Sequence, residues 1–489
     1  MSRQDLFLAD RTIHGTSTEE PGRERNMDSS MRSYDMLVIG SGPAGQKAAI
    51  QAAKLGKRVA LIEKALQLGG TSLNTGTLPS KTLKDTIDYL DGFARRGFPQ
   101  LGAEVKRRIT LPDLIARKDQ VIKSEVAVVT DQLQRNHVAI IPGLASFVDP
   151  QTLSVARPDG SAVRLRGSSI VIATGSRPRR PEAIPFDDVT ICDSDSILNT
   201  KEHPASLTVM GGGVVGAEYA SMLAVFGIQV TLIDRRTHLL RCVDQEIMRV
   251  LESHMQRNGV TMRLGEEIAE VVLDQRGRVV TRLQCQETVT TDMLLYAMGR
   301  SGNTESLYLE AIGLKADQGQ LTVNEHYQTA IPHIYAVGDV IGFPALAATS
   351  MEQGRLAACH ACRVAQPAAP TTLPYGIYTI PEVSTIGKTE EELVTAGVPY
   401  AVGRAFYREI ARGHISGDLE GLLKLVFHRD TRELLGVHIV GPGATELIHI
   451  GQPVMAYQGT VDFFVHNVFN YPTLAECYRT AALDGLNRL

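Results

Sequence analysis

One pattern occurs twice in this chain and constrains its fold more than any other feature. A short apolar segment runs into a glycine turn, a helical stretch follows, a second apolar segment comes next, and that segment ends on an acid. The first copy runs Tyr34 to Ile39, then Gly40-Ser41-Gly42-Pro43-Ala44-Gly45, a helix through Leu55, and a strand from Val59 to Ile62 ending at Glu63. The second runs Leu207 to Met210, then Gly211, Gly213 and Gly216, a helix through Phe226, and a strand from Val230 to Ile233 ending at Asp234. A lone G-x-G-x-x-G says little, but here each copy has a strand before it, a helix after it and an acid about 20 residues on. The first glycine makes the tight turn, the second lets backbone approach a pyrophosphate, and the third lets helix and strand pack closely. The helix N-terminus supplies unpaired N–H groups and a positive dipole end to the phosphates, and the acid accepts from a ribose hydroxyl. Two units imply two dinucleotides.

The rest of the chain is consistent with such a protein and excludes several others. At 489 residues it has room for two to four domains, and 43% hydrophobic with 21% charged residues suits large buried cores. The formal net charge of -4 gives no electrostatic footprint for nucleic acid. The longest apolar runs, such as Met36 to Ile39 and Ile170 to Ala173, are strand-length and far short of the ~20 residues of a membrane span. Residues 1–33 are polar, lack an apolar signal core and read as a disordered extension. Met27 and Met31 read as candidate alternative starts, a choice the sequence leaves open. Six scattered cysteines (Cys192, Cys242, Cys285, Cys359, Cys362 and Cys477) argue against a secreted disulfide framework and fit a reducing cytoplasm. Cys359 and Cys362 form a C-x-x-C, but deep in a helical stretch and not at a helix N-terminus, so they read as two small buried thiols. No metal ligands are assigned.

Three further segments carry a family resemblance. Val171-Ile172-Ala173-Thr174-Gly175-Ser176 reads as a strand leaving the first unit. Met293 to Tyr296 followed by Ala297-Met298-Gly299-Arg300 closes the second unit, and Ile334-Tyr335-Ala336-Val337-Gly338-Asp339 is an apolar strand ending in Gly-Asp. With the two glycine units, these make residues ~34 to the end resemble the flavoprotein disulfide reductases. The resemblance implies that the first unit holds FAD non-covalently and the second takes a nicotinamide nucleotide. It also implies that Glu63 meets the FAD adenosine ribose, and that Asp339 meets the ribityl or phosphate part. Contacts to the cofactors are expected from Gly40, Gly42, Gly45, Lys64, Thr71, Ser72, Lys81, Thr174, Gly175, Gly338 and Ala347. Around the second unit they are expected from Gly211, Gly213, Gly216, Gly299 and Arg300.

The chain departs from that family at its redox centre. The family carries Cys-x-x-x-x-Cys before Pro-Ser-Lys. Here Gly69-Gly70-Thr71-Ser72-Leu73-Asn74-Thr75-Gly76-Thr77-Leu78-Pro79-Ser80-Lys81 keeps the frame but has Ser72 and Thr77 at the two cysteine positions. A hydroxyl cannot carry out thiol–disulfide exchange, because the thiolate is the nucleophile. Near the C-terminus, Tyr471 stands where the family places a His before Pro, while the Glu five residues on is kept as Glu476. The thiol half-reaction is deleted and the flavin half-reaction is left whole. Thr77 in Gly-Thr-Leu-Pro-Ser-Lys and the run from Phe469 to Leu489 look like the soluble transhydrogenase branch of the family, although that branch often keeps a cysteine where Ser72 stands. The resemblance pairs Lys81 with Glu218 beside the flavin, and a buried Lys needs such a partner. It also implies a homodimer or higher homo-oligomer in which Tyr471 is supplied to the partner's flavin site.

NAD favours an acid at the end of the second strand, whereas NADP needs a cation for its 2′-phosphate. Asp234, Arg235 and Arg236 offer both in a row, as a site serving the two coenzymes in turn would. Val214 stands where glutathione reductases carry a gating Tyr. The expectation is an α/β chain with two Rossmann-like dinucleotide-binding domains and a C-terminal α+β dimerisation domain. The FAD domain is split (34–180 and 301–370), the NAD(P) domain lies at 181–300 and the interface domain at 371–489. The expected activity is hydride transfer from NADPH to NAD through FAD, ping-pong at one nicotinamide site. Rivals are an NAD(P)H oxidase or diaphorase of the same fold, and a non-catalytic FAD-binding subunit.

Overall fold

A computed structural model describes residues 31–366 and 372–489. Most of the expected N-terminal extension lies outside the described residues, as does Thr371 at the start of the expected C-terminal domain. The extension ends earlier than expected. Arg32 and Ser33 already belong to the first strand, Arg32–Ile39, where they pair with Leu165 and Arg166.

Both glycine units form the elements expected of them. In the first, Arg32–Ile39 leads to the helix Pro43–Lys54 and the strand Val59–Glu63. In the second, Ser206–Met210 leads to the helix Val214–Phe226 and the strand Gln229–Asp234. Each seeds a sheet with a parallel core whose first four strands run in the same order, the first sheet being extended by the antiparallel strands Thr152–Ala156 and Leu144–Asp149. In one the strands run Ala139–Pro142, Val59–Glu63, Arg32–Ile39, Ala162–Ile172, with Ile334–Ala336 beside the last. In the other they run Val260–Leu264, Gln229–Asp234, Ser206–Met210, Met293–Tyr296, Ile191–Asp193. Two of these strands, Val59–Glu63 and Met293–Tyr296, are buried along their whole length. That explains their near-continuous apolar sequence. The duplication therefore extends from sequence to topology.

Three features shape the space between the two sheets. The chain crosses between them twice, and the two crossings, Ser176–Pro178 and Arg300–Gly302, pair antiparallel as a small ribbon. Helices Thr77–Arg95, Pro99–Arg108 and Leu111–Arg135 are inserted between the second and third strands of the first unit. The first of them packs along Val214–Phe226 of the second unit. The strand expected to end in Gly-Asp stops at Ala336, and Gly338–Ile341 curls into a 3-10 turn, with Gly338 at φ +78°. From Tyr375 onward five antiparallel strands, in the order Tyr375–Ile377, Val383–Gly387, Leu434–Val440, Leu422–His428, Tyr400–Phe406, carry the helices Ala444–Ala456 and Glu476–Leu486. Among the described residues no helix is long and apolar enough to cross a membrane.

All six cysteines are free thiols. The helix bearing the C-x-x-C is Ala347–Ala361, so Cys359 is buried within it while Cys362 is its half-buried C-terminal cap, not an interior residue as expected. Burial pushes the Cys362 thiol up. A helix C-terminus adds no help to a thiolate, so the pair lacks the setting of a redox motif.

Candidate functional site

At the first turn, Gly40 has φ +104°, and a Cβ on Gly45 would fall 1.9 Å from the Gly40 carbonyl oxygen. Only glycine allows that closeness. Gly42 caps the helix Pro43–Lys54 without a side-chain hydrogen bond, and a Cβ there would meet open space, so the helix N-terminus is left uncovered at that point. Glu63 is buried and turned onto the loop: it accepts from the Ser41 N–H (2.8 Å), the Ser41 hydroxyl (2.6 Å) and the Ala65 N–H (2.8 Å). Lys64, beside it, is exposed. Thr174 Oγ1 is buried with no hydrogen-bond partner, close to Gly40 and next to Gly175 at φ +68°. A buried hydroxyl without a partner is uncommon and fits a group meant to meet a ligand. Ala347 opens a second helix whose N-cap, Leu346, also lacks a side-chain cap.

Two residues beyond Thr174 the structure assembles a polar relay centred on Ser176, a residue that sequence reasoning did not single out. Its hydroxyl donates to Asp339 (2.8 Å) and accepts from Arg300 Nε (2.9 Å). Its carbonyl accepts from Arg300 Nη2 (2.9 Å) and, more weakly, from Thr71 Oγ1 (3.3 Å). Thr71, Arg300 and Asp339, drawn from three distant segments, thus converge on the interdomain ribbon. Arg300 also faces Asp195 at 3.7 Å. Burial raises the Asp195 carboxyl above its ordinary range despite that arginine. Gly338 presents its N–H to Gln353 Oε1 at 2.8 Å. Gly299, at φ +95°, turns the chain into this ribbon.

The pairing of Lys81 with Glu218 is formed. Lys81 Nζ lies 2.7 and 2.9 Å from the two carboxylate oxygens of Glu218, which is 5% exposed. The helix Thr77–Arg95 supplies the lysine and Val214–Phe226 the glutamate, so the ion pair joins the two units. Two further partners come from the C-terminal part. The Tyr378 N–H donates to Glu218 (2.9 Å), and Lys81 sits 4.9 Å from the centre of the Tyr378 ring. Nothing in the sequence around Tyr378 signals this, because the contact exists only once the domains pack. Ser72 donates to the Gly69 carbonyl (3.3 Å), and Thr77 opens the helix that carries Lys81.

At the second turn Gly211 has φ +112°, and a Cβ on Gly216 would lie 1.8 Å from the Gly211 carbonyl oxygen. Gly213 caps Val214–Phe226. Asp234, 6% exposed, accepts from the Gly212 N–H, from the Arg236 N–H (2.7 Å), and from the Arg236 side chain through Nε (2.9 Å) and Nη2 (2.7 Å). Burial alone would raise Asp234, but Arg236 and the two backbone donors hold it below the usual carboxylate range. The three residues expected to act as a mixed set are therefore divided: Arg236 lies on the acid, whereas Arg235 lines a groove of about 360 Å³ with Gly265, Glu266, Glu267, Gln284 and Cys285.

Tyr471 and Glu476 lie apart from these groups. Tyr471 is 70% exposed, and Glu476 starts the last helix, where it receives a long hydrogen bond (3.4 Å) from the Thr473 N–H. Among the described residues neither is hydrogen-bonded to the Lys81–Glu218 pair. No His, Cys, Asp or Glu cluster able to hold a metal ion occurs among them either.

Comparison with known proteins adds the family. Residues 34–354 match the model for pyridine nucleotide-disulphide oxidoreductases, and 373–482 match the dimerisation domain of the same family. The chain is similar to the soluble pyridine nucleotide transhydrogenase of Mycobacterium bovis, 49% identical across 94% of this chain and 98% of the relative. It is also similar to the enzyme of that name from Colwellia psychrerythraea, 45% identical across 93% and 98%. A solved structure, the HOCl-induced flavoprotein disulfide reductase RclA of Escherichia coli, superposes with a TM-score of 0.83. It is 26% identical and covers 92% of this chain and 99% of that one.

Proposed function

The chain belongs to the pyridine nucleotide-disulphide oxidoreductase family, and we propose that it is an FAD-dependent oxidoreductase that moves hydride between NADPH and NAD. The observation that carries this reading is the Lys81–Glu218 ion pair, intact across the two nucleotide units, in a frame where Ser72 and Thr77 replace the family's two cysteines. Electrons entering at such a site have no thiol to leave by, so the second nicotinamide is the natural acceptor. Relatives named as soluble pyridine nucleotide transhydrogenases support the same activity.

The first turn fits FAD: Gly42 and the helix N-terminus leave room for a pyrophosphate, Glu63 lies where a ribose would be met, and Thr174 Oγ1 awaits a partner. FAD supplies the two-electron centre that side chains lack. The protein's own work is to hold and orient. Ser176 and Arg300 fix the direction of Asp339 toward the cofactor. Glu218 keeps Lys81 in one position, so its charge is pre-set where negative charge develops. The second turn holds each nicotinamide nucleotide in near-attack geometry, which carries a large share of the rate when reactants are merely stacked. One nicotinamide site serving both coenzymes makes the cycle ping-pong, with the acid Asp234 providing for the diol and the cation paired with it, Arg236, for the phosphate. Tyr471 and Glu476 act in a homodimer, where the exposed Tyr471 ring reaches the partner's site. Free thiols throughout and the net charge of -4 support a cytoplasmic enzyme with no nucleic-acid partner.

The test is an anaerobic assay with purified holoenzyme, NADPH and thio-NAD. Formation of thio-NADH at a rate matching NADPH loss is the expected result. NADPH loss only when air is admitted, with oxygen consumed, would replace this reading with the oxidase.

A further inference from the structure

Asp234 is saturated, and that has a consequence for how one site takes two coenzymes. An ionised carboxylate offers about four lone-pair sites. Four donors occupy them here: the N–H groups of Gly212 and Arg236, and Nε and Nη2 of the Arg236 guanidinium. The backbone donors belong to the turn and the strand end and cannot leave. A ribose diol needs two acceptor sites, and only the Arg236 side chain can vacate them. That side chain is 30% exposed, so it can swing out without losing much burial. Where it sits now, Nη2 is the nearest atom to the space over Gly213, the cap of the second turn. A guanidinium carries five N–H donors. Two are spent on Asp234, so three remain for a phosphate arriving at that point.

Arg235 is placed differently. It is exposed and has no ion pair among the described residues, and its groove is walled by Glu266 and Glu267. Glu266 is neutralised by Arg263 (2.9 Å), but Glu267 has no ion pair among the described residues and would repel a phosphate.

Resting on the coenzyme reading above, we propose that the Asp234–Arg236 pair is a two-position selector. Closed, as seen here, it presents Arg236 to the 2′-phosphate of NADP and keeps the buried acid neutralised. Open, with Arg236 swung into solvent, it exposes Asp234 to the ribose diol of NAD. Selection rests on Arg236 alone, and Arg235 is a bystander.

Calorimetric titration of oxidised holoenzyme with NADP⁺ and, separately, NAD⁺ tests this, because the two differ only in the phosphate. Arg236→Ala should weaken NADP⁺ on the order of 10–100-fold, the range for a charge-assisted contact, and leave NAD⁺ unchanged or a few-fold tighter. Asp234→Asn should weaken NAD⁺ and spare NADP⁺. Arg235→Ala should change neither by more than about threefold, the scale of an exposed charge. Equal weakening of both coenzymes by Arg236→Ala, or an NADP⁺ loss that follows Arg235, overturns the selector. If those results come from an enzyme that still makes thio-NADH from NADPH, only the selector falls. If the unaltered holoenzyme binds neither coenzyme, the proposed function falls with it.

Discussion

The two glycine turns are nearly superimposable in their constraints and differ in what surrounds them. Gly40 and Gly211 share a left-handed φ (+104° and +112°), and a Cβ on Gly45 or Gly216 would fall 1.9 or 1.8 Å from the carbonyl oxygen of Gly40 or Gly211. The first turn is also clamped from outside. A Cβ on Gly354 would strike the Ala44 carbonyl at 2.0 Å, so the helix Ala347–Ala361 lies directly on the helix Pro43–Lys54. Its acid, Glu63, is held by neutral donors of the loop, whereas Asp234 is held by a cation. Turn geometry thus marks a dinucleotide site and says nothing of its tenant. A clamped turn with a neutral-bonded acid suits a resident cofactor, and an acid gated by a movable arginine suits substrates that come and go.

The largest effect should come from filling the two turns separately. Gly45→Ala forces a Cβ into backbone at 1.9 Å, and the purified variant should lose most of its flavin, read as the ratio of absorbance at 450 to 280 nm. Gly216→Ala should keep its flavin and lose at least about tenfold in reduction by NADPH and by NADH alike, a loss of ~1.4 kcal/mol or more. Flavin loss from both variants would erase the distinction between the turns.

A smaller effect is expected where the units meet. In a double-mutant cycle on thermal unfolding of the holoenzyme, Lys81→Met and Glu218→Gln should couple by about 1–2 kcal/mol. That is the range for a charged hydrogen bond, discounted because the Lys81 side chain is 24% exposed. Additive losses would mean the pair does not tie the units together.

The smallest is a pH effect that separates the coenzymes. Asp234 is held below the usual carboxylate range and stays ionised as pH falls from 7.5 to 5.5, all above that range. A phosphate monoester takes up its second proton near pH ~6. NADP⁺ binding should therefore weaken a few-fold over this interval while NAD⁺ binding stays flat. A parallel decline for NAD⁺ would show that the acid is not protected.

Much of this was readable in the residues. Each glycine unit carries its own strand, helix and acid within about thirty positions, so local sequence sufficed. The Lys81–Glu218 pair spans 137 positions and was legible only through family resemblance. Ser176 and Tyr378 were not legible. One is a small hydroxyl at the start of a three-residue strand and the other contributes a backbone N–H, and both acquire meaning only when distant segments pack. The helix end at Ala361 escaped because the small residues around it carry no stop signal. The parting of Arg235 from Arg236 was not legible either: both are cations just past the strand end, and only the folded chain puts Arg236 on Asp234 and Arg235 in a separate groove.

The account rests on hydride leaving by the route it entered, and a single turnover tests that most directly. Holoenzyme is reduced anaerobically with NADPH, freed of excess nucleotide by gel filtration, and mixed with NAD⁺. The account predicts reduction complete at one NADPH per flavin with no long-wavelength thiolate band, then one NADH formed per flavin as the oxidised spectrum returns. Uptake of two NADPH per flavin, or a flavin that stays reduced until oxygen is admitted, would contradict it.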